Sequence, residues 1–283
     1  MTTFANTPIE KIRDYWDARP CNVRHSPIDV GTREYFDQVE ARRYFVEPHI
    51  PAFAEFQRWR GCKVLEIGCG IGTDTMNFAR AGAEVTAVDL SAKSLELARR
   101  NAEVHGFGDR IRFYEANAEL LSNVVPPERY DLVYSFGVIH HTSHPERVVD
   151  QIRRHYVRAG SVLKLMVYHR FSWKVFWILT TFGGGAFWKV AELVARHSEA
   201  ETGCPVTYSY SYSRRQVPQL IGPHFQVDDI EVRHIFPYEI PEYVKYRYVK
   251  VWYFRYLPKP VFNMLQRAIG WHLCITAHAQ SDA

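Results

Sequence analysis

The chain has 283 residues, 47% of them hydrophobic and 23% charged, a globular composition with room for one large elaborated domain and no low-complexity or collagen-like tract. The longest apolar candidate, Phe171 to Trp188, is broken by Lys174 and three glycines and falls short of a membrane span. The first residues lack the basic-then-apolar pattern of a secretion signal, and five scattered cysteines (Cys21, Cys62, Cys69, Cys204, Cys274) form no CxxC pair, so a reduced, cytoplasmic protein without a zinc site is expected.

Residues 1–60 read as mostly helical. One helix is predicted over Pro8–Arg19, with the proline in its first turn, and a second over Pro48–Trp59; Asn22–Phe36, polar and turn-rich, is predicted as loop. From Cys62 onward strand and helix signals alternate. The strands are Lys63–Ile67, Glu84–Asp89, Ile111–Glu115, Asp131–Phe136 and Val162–Tyr168. Between them lie a helix near Asp74–Arg80 stopped by Gly82, one capped by Ser91 and ending near Gly106, and one running from Pro145 to Gly160. Such alternation implies a parallel sheet with helices on both faces and all strand C-termini on one edge.

After Tyr168 the alternation breaks. Residues 169–205 are rich in Trp and Phe around Gly183-Gly184-Gly185. A short helix (Arg214–Ile221) and a strand (Phe225–Arg233) follow, then an irregular aromatic stretch, Ile235–Gly270, and a last strand at His272–Ala277. The expected divisions are a helical N-terminal cover (1–60), a core (61–168), an insertion (169–213), the core continued (214–234), an aromatic insertion (235–270), and a last strand with tail (271–283). Charge is divided too: residues 1–150 carry 18 basic and 22 acidic groups, residues 151–283 carry 17 and 9. A basic, aromatic C-terminal half suggests an anionic or amphipathic contact, or simply a solvated basic surface.

The first strand runs into Gly68-Cys69-Gly70-Ile71-Gly72, a strand–turn–helix that brings bare backbone and free N–H groups to a ligand. Asp89, 17 positions beyond Gly72, ends the second strand where a carboxylate commonly holds a ribose diol. The glycines have GxGxG rather than GxGxxG spacing, so no pyrophosphate is demanded and two ligand classes, a dinucleotide and S-adenosylmethionine, remain open.

Four segments in order and spacing (VLEIGCGIGT at 64–73, VTAVDLS at 85–91, YEANAEL at 114–120, DLVYSFGVIHHT at 131–142) resemble class I S-adenosylmethionine-dependent methyltransferases, most of all the small-molecule group with a His-His-Thr segment after strand four. The resemblance covers about residues 60–168. It implies a Rossmann-like, seven-stranded, mostly parallel α/β sheet with helices on both faces, Phe225–Arg233 as strand six and His272–Ala277 as an antiparallel strand seven. It also implies S-adenosyl-L-methionine as cofactor. Glu66, Gly68, Cys69, Gly70 and Gly72 would border its methionine portion, Asp89 its ribose, and Leu90, Asn117 and Ala118 its adenine; Phe136 and Gly137 would pass near the methyl group. Asn117 departs from the family's usual aspartate, although an amide oxygen still accepts a hydrogen bond.

His141 and His140 at the strand-four edge, and His169 just past strand five, are the candidate catalytic groups; Tyr168 is a further candidate for proton transfer. His140, His141 and His144 lack a carboxylate or cysteine to complete a metal set, so no metal is expected. The aromatic insertions after strands five and six are expected to form the substrate cover. The reading is O-methylation of a small apolar or aromatic acceptor, ahead of C- or N-methylation. The alternatives are a peripheral-membrane lipid or quinone methyltransferase and a non-catalytic S-adenosylmethionine-binding module. Nucleic acid is not expected as a partner; a homodimer is plausible from the exposed aromatics.

Overall fold

The structure is a computed structural model that describes residues 8–198 and 210–280. In chain order it holds α1 (Ile9–Ala18), α2 (Arg33–Val46), α3 (Ile50–Ala54), β1 (Lys63–Ile67), α4 (Thr73–Ala81), β2 (Glu84–Asp89), α5 (Ala92–His105), β3 (Ile111–Glu115), β4 (Tyr130–Phe136), α6 (Pro145–His155) and β5 (Val157–His169). Then follow α7 (Trp173–Phe182), α8 (Val190–His197), β6 (Ser211–Tyr212), α9 (Val217–Ile221), β7 (Phe225–Arg233), α10 (Ile240–Tyr243), α11 (Trp252–Arg255), α12 (Lys259–Ile269) and β8 (His272–Ala279).

The sheet order is β3-β2-β1-β4-β5-β8-β7, with β6 pairing β5 beside that path. All the pairs are parallel except those of β8, which runs antiparallel to both β5 and β7. This is the Rossmann-like fold expected from the sequence, with the short β6 as an eighth strand. The chain reverses its direction of winding between β1 and β4, and a crevice opens there at the C-terminal strand ends.

Burial explains the strands. Val64, Leu65, Glu66 and Ile67 are all buried, and alternate residues serve opposite layers. Leu65 and Ile67 join Val148, Val149 and Ile152 of α6 and Leu220 and Ile221 of α9. Val64 joins Phe53, Phe56 and Trp59 with Met76 and Phe78 of α4 and Ala98 of α5.

Several boundaries depart from expectation. Asn22–Phe36 is not loop throughout: Thr32 Oγ1 accepts from Tyr35 N, and α2 starts at Arg33. Tyr35, Phe36, Val39, Arg42 and Val46 give α2 a buried stripe at helical spacing, part of it packed on Ile71 and Leu97. The helix expected over Pro48–Trp59 breaks at Glu55, whose φ of 53° ends α3 before a 3₁₀ turn at Phe56–Trp59. The helix from Pro145 ends at His155 rather than Gly160, because Val157 is already paired with Tyr130 and β5 runs on through Gly160 to His169.

Ile235–Gly270 is less irregular than expected and contains α10, α11 and the amphipathic α12. Residues 169–198 fold into α7 and α8, with Ser172 Oγ accepting from Val175 N at the start of α7. The two insertions meet ring to ring, Trp173 lying 5.6 Å from Tyr253 and 5.9 Å from Phe254 between centroids. Residues 199–205, with Cys204, lie outside the described residues. Among the described residues no helix is long and apolar enough to cross a membrane.

Candidate active site

At the C-terminal ends of β1, β2 and β4 a cavity of about 280 Å³ is lined by the glycine loop, by Asp89, Leu90, Asn117 and Ala118, and by Phe136 and Gly137. Gly68 has a φ of 81°, and a Cβ built on it would stand 2.1 Å from a Val138 methyl, so neither the backbone angle nor the space admits a side chain. Gly72, also in the left-handed region, serves as N-cap of α4 and lets that helix start beside Ala98 of α5.

Asp89 is held from both sides. Its Oδ2 accepts from Gly70 N at 2.8 Å and its Oδ1 from Ser91 N at 2.9 Å, which fixes the carboxylate against the loop and leaves a lone pair on each oxygen for a diol. Burial raises its pKa, and the N–H donors of Ser91 and Gly70 oppose that rise. Glu66, buried at the end of β1, accepts from the Thr75 hydroxyl. Burial and the neighbouring Asp74 carboxylate push its pKa up to about 8, and positive charge placed beside it would oppose that rise. Asn117 caps the following 3₁₀ turn, its Oδ1 accepting from Glu119 N at 3.0 Å, so one lone pair is spent and one remains. Cys69 is buried, with its thiol pushed up by burial, and lines the same wall.

The three catalytic candidates separate. His141 lines the cavity, its Nε2 lying 3.4 Å from the Tyr168 hydroxyl and its ring 5.8 Å from that of Trp16. His140 lies behind it, fully buried, its ring 3.8 Å from that of Tyr168. Burial, then His141 and Lys174, hold its pKa well below the usual histidine range. His169 is buried against Gly270, whose carbonyl is 3.1 Å from its Nδ1. Neither His140 nor His169 lines the cavity. His144 stands at the N-cap position of α6, but its ring faces Glu146 rather than capping.

The sequence named residues 1–60 as one cover but, Tyr168 aside, singled out none of the side chains at the other end of the cavity. It is closed by Ile9, Ile12 and Trp16 of α1, by Cys21 and Asn22, by Arg43 and Glu47 from the end of α2, and by Met166, Tyr168 and His272 from β5 and β8. None of the described residues of 169–198 or 235–270 contributes to the lining; the cover comes from the N-terminal segment. Arg43 Nη2 meets Asp74 Oδ2 at 2.9 Å, and Asp74 also accepts from the Tyr44 and Tyr134 hydroxyls at 2.8 and 3.0 Å. Burial opposes the Arg43 charge, but Asp74 and Glu47 more than restore it. The overlooked signal was the buried stripe of α2, which carries Arg43 to the cavity.

Residues 64–160 match the family described as a methyltransferase domain. The ubiquinone biosynthesis O-methyltransferase of Psychrobacter cryohalolentis is 33% identical over 90 residues, 32% of this chain and 35% of that protein. The release factor glutamine methyltransferase of Chlorobaculum tepidum is 49% identical over 57 residues, 19% of each chain. The chain thus spans about a third or less of the length of these relatives. Among solved structures, magnesium protoporphyrin IX methyltransferase from Synechocystis with bound S-adenosylhomocysteine matches with a TM-score of 0.59 and 16% identity, over 96% of this chain and 100% of that one. Geranyl diphosphate C-methyltransferase from Streptomyces coelicolor matches with a TM-score of 0.56 and 15% identity, over 98% and 99%. The two structures share the fold.

Proposed function

Residues 64–160 being a class I methyltransferase domain, which takes S-adenosylmethionine, we propose that this chain transfers the cofactor's methyl group to an oxygen of a small apolar or aromatic acceptor. The observation that carries this reading is the continuity of the cavity. Its cofactor wall runs without a break into an end lined by Trp16, Phe136, Met166, Tyr168 and His141, where a second molecule would face the sulfonium. The methyl group arrives already activated, so the chain's work is to align the acceptor and exclude water, an effect worth roughly 7–11 kcal/mol. His141, within reach of the Tyr168 hydroxyl, takes the role of orienting or deprotonating the acceptor; Gly68–Gly72, Asp89, Leu90, Asn117 and Ala118 hold the cofactor.

The test is incubation with labelled methyl donor and a panel of phenols, enols and isoprenoid hydroxy compounds. Mass spectrometry is expected to find the label on oxygen. His141→Gln is expected to lower kcat by roughly 10²–10⁴ while S-adenosylhomocysteine binding stays unchanged. Preference for NAD over S-adenosylmethionine in calorimetry would sink the reading.

A second reading, a lipid-borne acceptor met at a membrane surface, is favoured by the outer face of the insertions. Trp188, Trp252 and Tyr256 are 75, 73 and 79% exposed, near exposed Lys189, Arg255 and Lys259 in the chain. Flotation with anionic vesicles separates the two: binding lost on Trp252→Ser supports the second, and no binding removes it.

A further inference from the structure

Beside Phe136, four polar side chains from separate segments converge at the acceptor end of the cavity. They are Glu47 at the end of α2, His49 just before α3, His234 just after β7, and His272 at the start of β8. His272 Nε2 lies 3.6 Å from Glu47 Oε1, and His272 Nδ1 lies 3.0 Å from His49 Nε2. The His234 ring is 4.6 Å from that of His272 and 5.7 Å from that of His49. One ligand atom each from Glu47, His234 and His272 lies within 4.8 Å of the others.

Core packing is a poor reason for this assembly. Three imidazoles desolvated together forfeit hydration that leucine or methionine would not need. His234 and His272 are buried and His49 is half-buried. His234 also holds a φ of 67°, a left-handed angle uncommon for a residue with a side chain, and is locked there by Trp271 N donating to its carbonyl at 2.7 Å. Strain of that kind, costing about 1–3 kcal/mol, gathers at functional sites.

We propose that Glu47, His234 and His272 form a binding site for a divalent transition metal of the Zn²⁺ or Fe²⁺ class, with His49 orienting His272. Ligands about 2.0–2.1 Å from a tetrahedral ion stand roughly 3.4 Å apart, close to the Glu47–His272 separation already present, so side-chain adjustments bring in His234. His272 Nδ1–H donated to His49 Nε2 leaves the Nε2 lone pair turned toward Glu47, the usual outer hydrogen bond of a metal-bound imidazole. Glu47 Oε2 lies 4.0 Å from Arg43 Nε, so the carboxylate would ligate through Oε1 alone. Two imidazoles and one carboxylate suit Zn²⁺ or Fe²⁺ rather than the all-oxygen shells of Mg²⁺ and Ca²⁺. Glu47 and His272 line the cavity, so the remaining coordination positions open toward the acceptor. A hydroxyl bound there would release its proton to solvent more readily. That last role rests on the methyl-transfer reading; metal binding does not.

The full chain, stripped with a chelator, is titrated with Co²⁺ followed by visible absorption, then with Zn²⁺ as competitor. The expected result is saturable binding of about one Co²⁺, displaced by Zn²⁺, with a rise in Tm. His49→Gln is expected to weaken binding about 10–100-fold. His272→Gln and His234→Asn, the latter tolerant of the left-handed backbone, should weaken it more, while His278→Ala at the surface leaves it unchanged. Calorimetry with S-adenosylhomocysteine on each variant reports whether the cofactor end is still folded; if a histidine variant loses it, the isosteric Glu47→Gln takes its place. Absence of saturable Co²⁺ binding in protein that binds S-adenosylhomocysteine overturns the proposal, as does binding that His272→Gln, His234→Asn and Glu47→Gln leave intact. Co²⁺ binding without S-adenosylhomocysteine binding upholds the metal site and refutes the methyl-transfer reading.

Discussion

The two ends of the cavity are built in opposite ways. The proposed cofactor end is local: Gly68–Gly72, Asp89, Asn117 and Phe136–Gly137 sit at successive strand ends of one sheet, each within a few residues of the strand that presents it. The proposed acceptor end is assembled from α1, α2, β5 and β8, and its ion pair joins residues 31 positions apart while its histidine contact joins residues 223 apart. A binding site for a shared cofactor can be carried by short motifs on strand ends. A site that selects an acceptor is built from whichever distant segments the fold folds over it.

If the ends are independent, substitutions at one should leave the other working. The largest effect is expected from Asp89→Ala, which removes the proposed diol acceptor and strands the Gly70 and Ser91 N–H groups. Affinity for S-adenosylhomocysteine should fall on the order of 100-fold, with two charge-assisted hydrogen bonds at stake. Co²⁺ binding to the same variant should persist. Loss of both together would mean that the two ends fold as one unit.

Next is Arg43→Met. It leaves the buried Asp74 with two tyrosine hydroxyls but no cation, and removing one member of such a pair costs about 3 kcal/mol. Urea unfolding should show that loss, and adding Asp74→Asn should recover part of it. A double variant no more stable than Arg43→Met would show that the pair is not the contact that ties α2 to the core.

The smallest effect concerns Glu66. Its folded pKa, raised to about 8 by burial and Asp74, lies above the ordinary 4.5. A carboxyl with a raised pKa binds its proton more tightly in the folded state, so its contribution to stability is complete below pH 4.5 and is lost as the pH rises through about 8. The Tm of the ligand-free protein should therefore decline from pH 5 to pH 8, and less so in Glu66→Gln. An identical decline in both proteins would place the titrating group elsewhere, and S-adenosylmethionine, bringing positive charge to the wall, should flatten the wild-type curve.

From sequence the strands of the core were legible because their signals are local. A buried parallel strand needs a short apolar run, and a helix start or stop needs one capping residue such as Ser91 or Gly82. The same holds for the eight-residue antiparallel β8, whose alternation marks it. The signals that failed were those in which tertiary contact overrides local preference. Thr32 and a stripe on Ile71 and Leu97 turn a polar stretch into α2, and pairing of Val157 with Tyr130 ends α6 early.

The amino-acid sequence by itself determined the doubly wound sheet and the order of its motifs, because both depend on spacing along the chain; the cofactor came from the family those motifs resemble, since their spacing alone left a dinucleotide open. Only the tertiary structure decided which side chains meet beyond the cofactor. It brought Glu47, His234 and His272 together, seated His141 on the cavity and left His140 and His169 out of its lining. Contacts between residues far apart in the chain follow from how the layers pack, and no spacing rule in the chain encodes them.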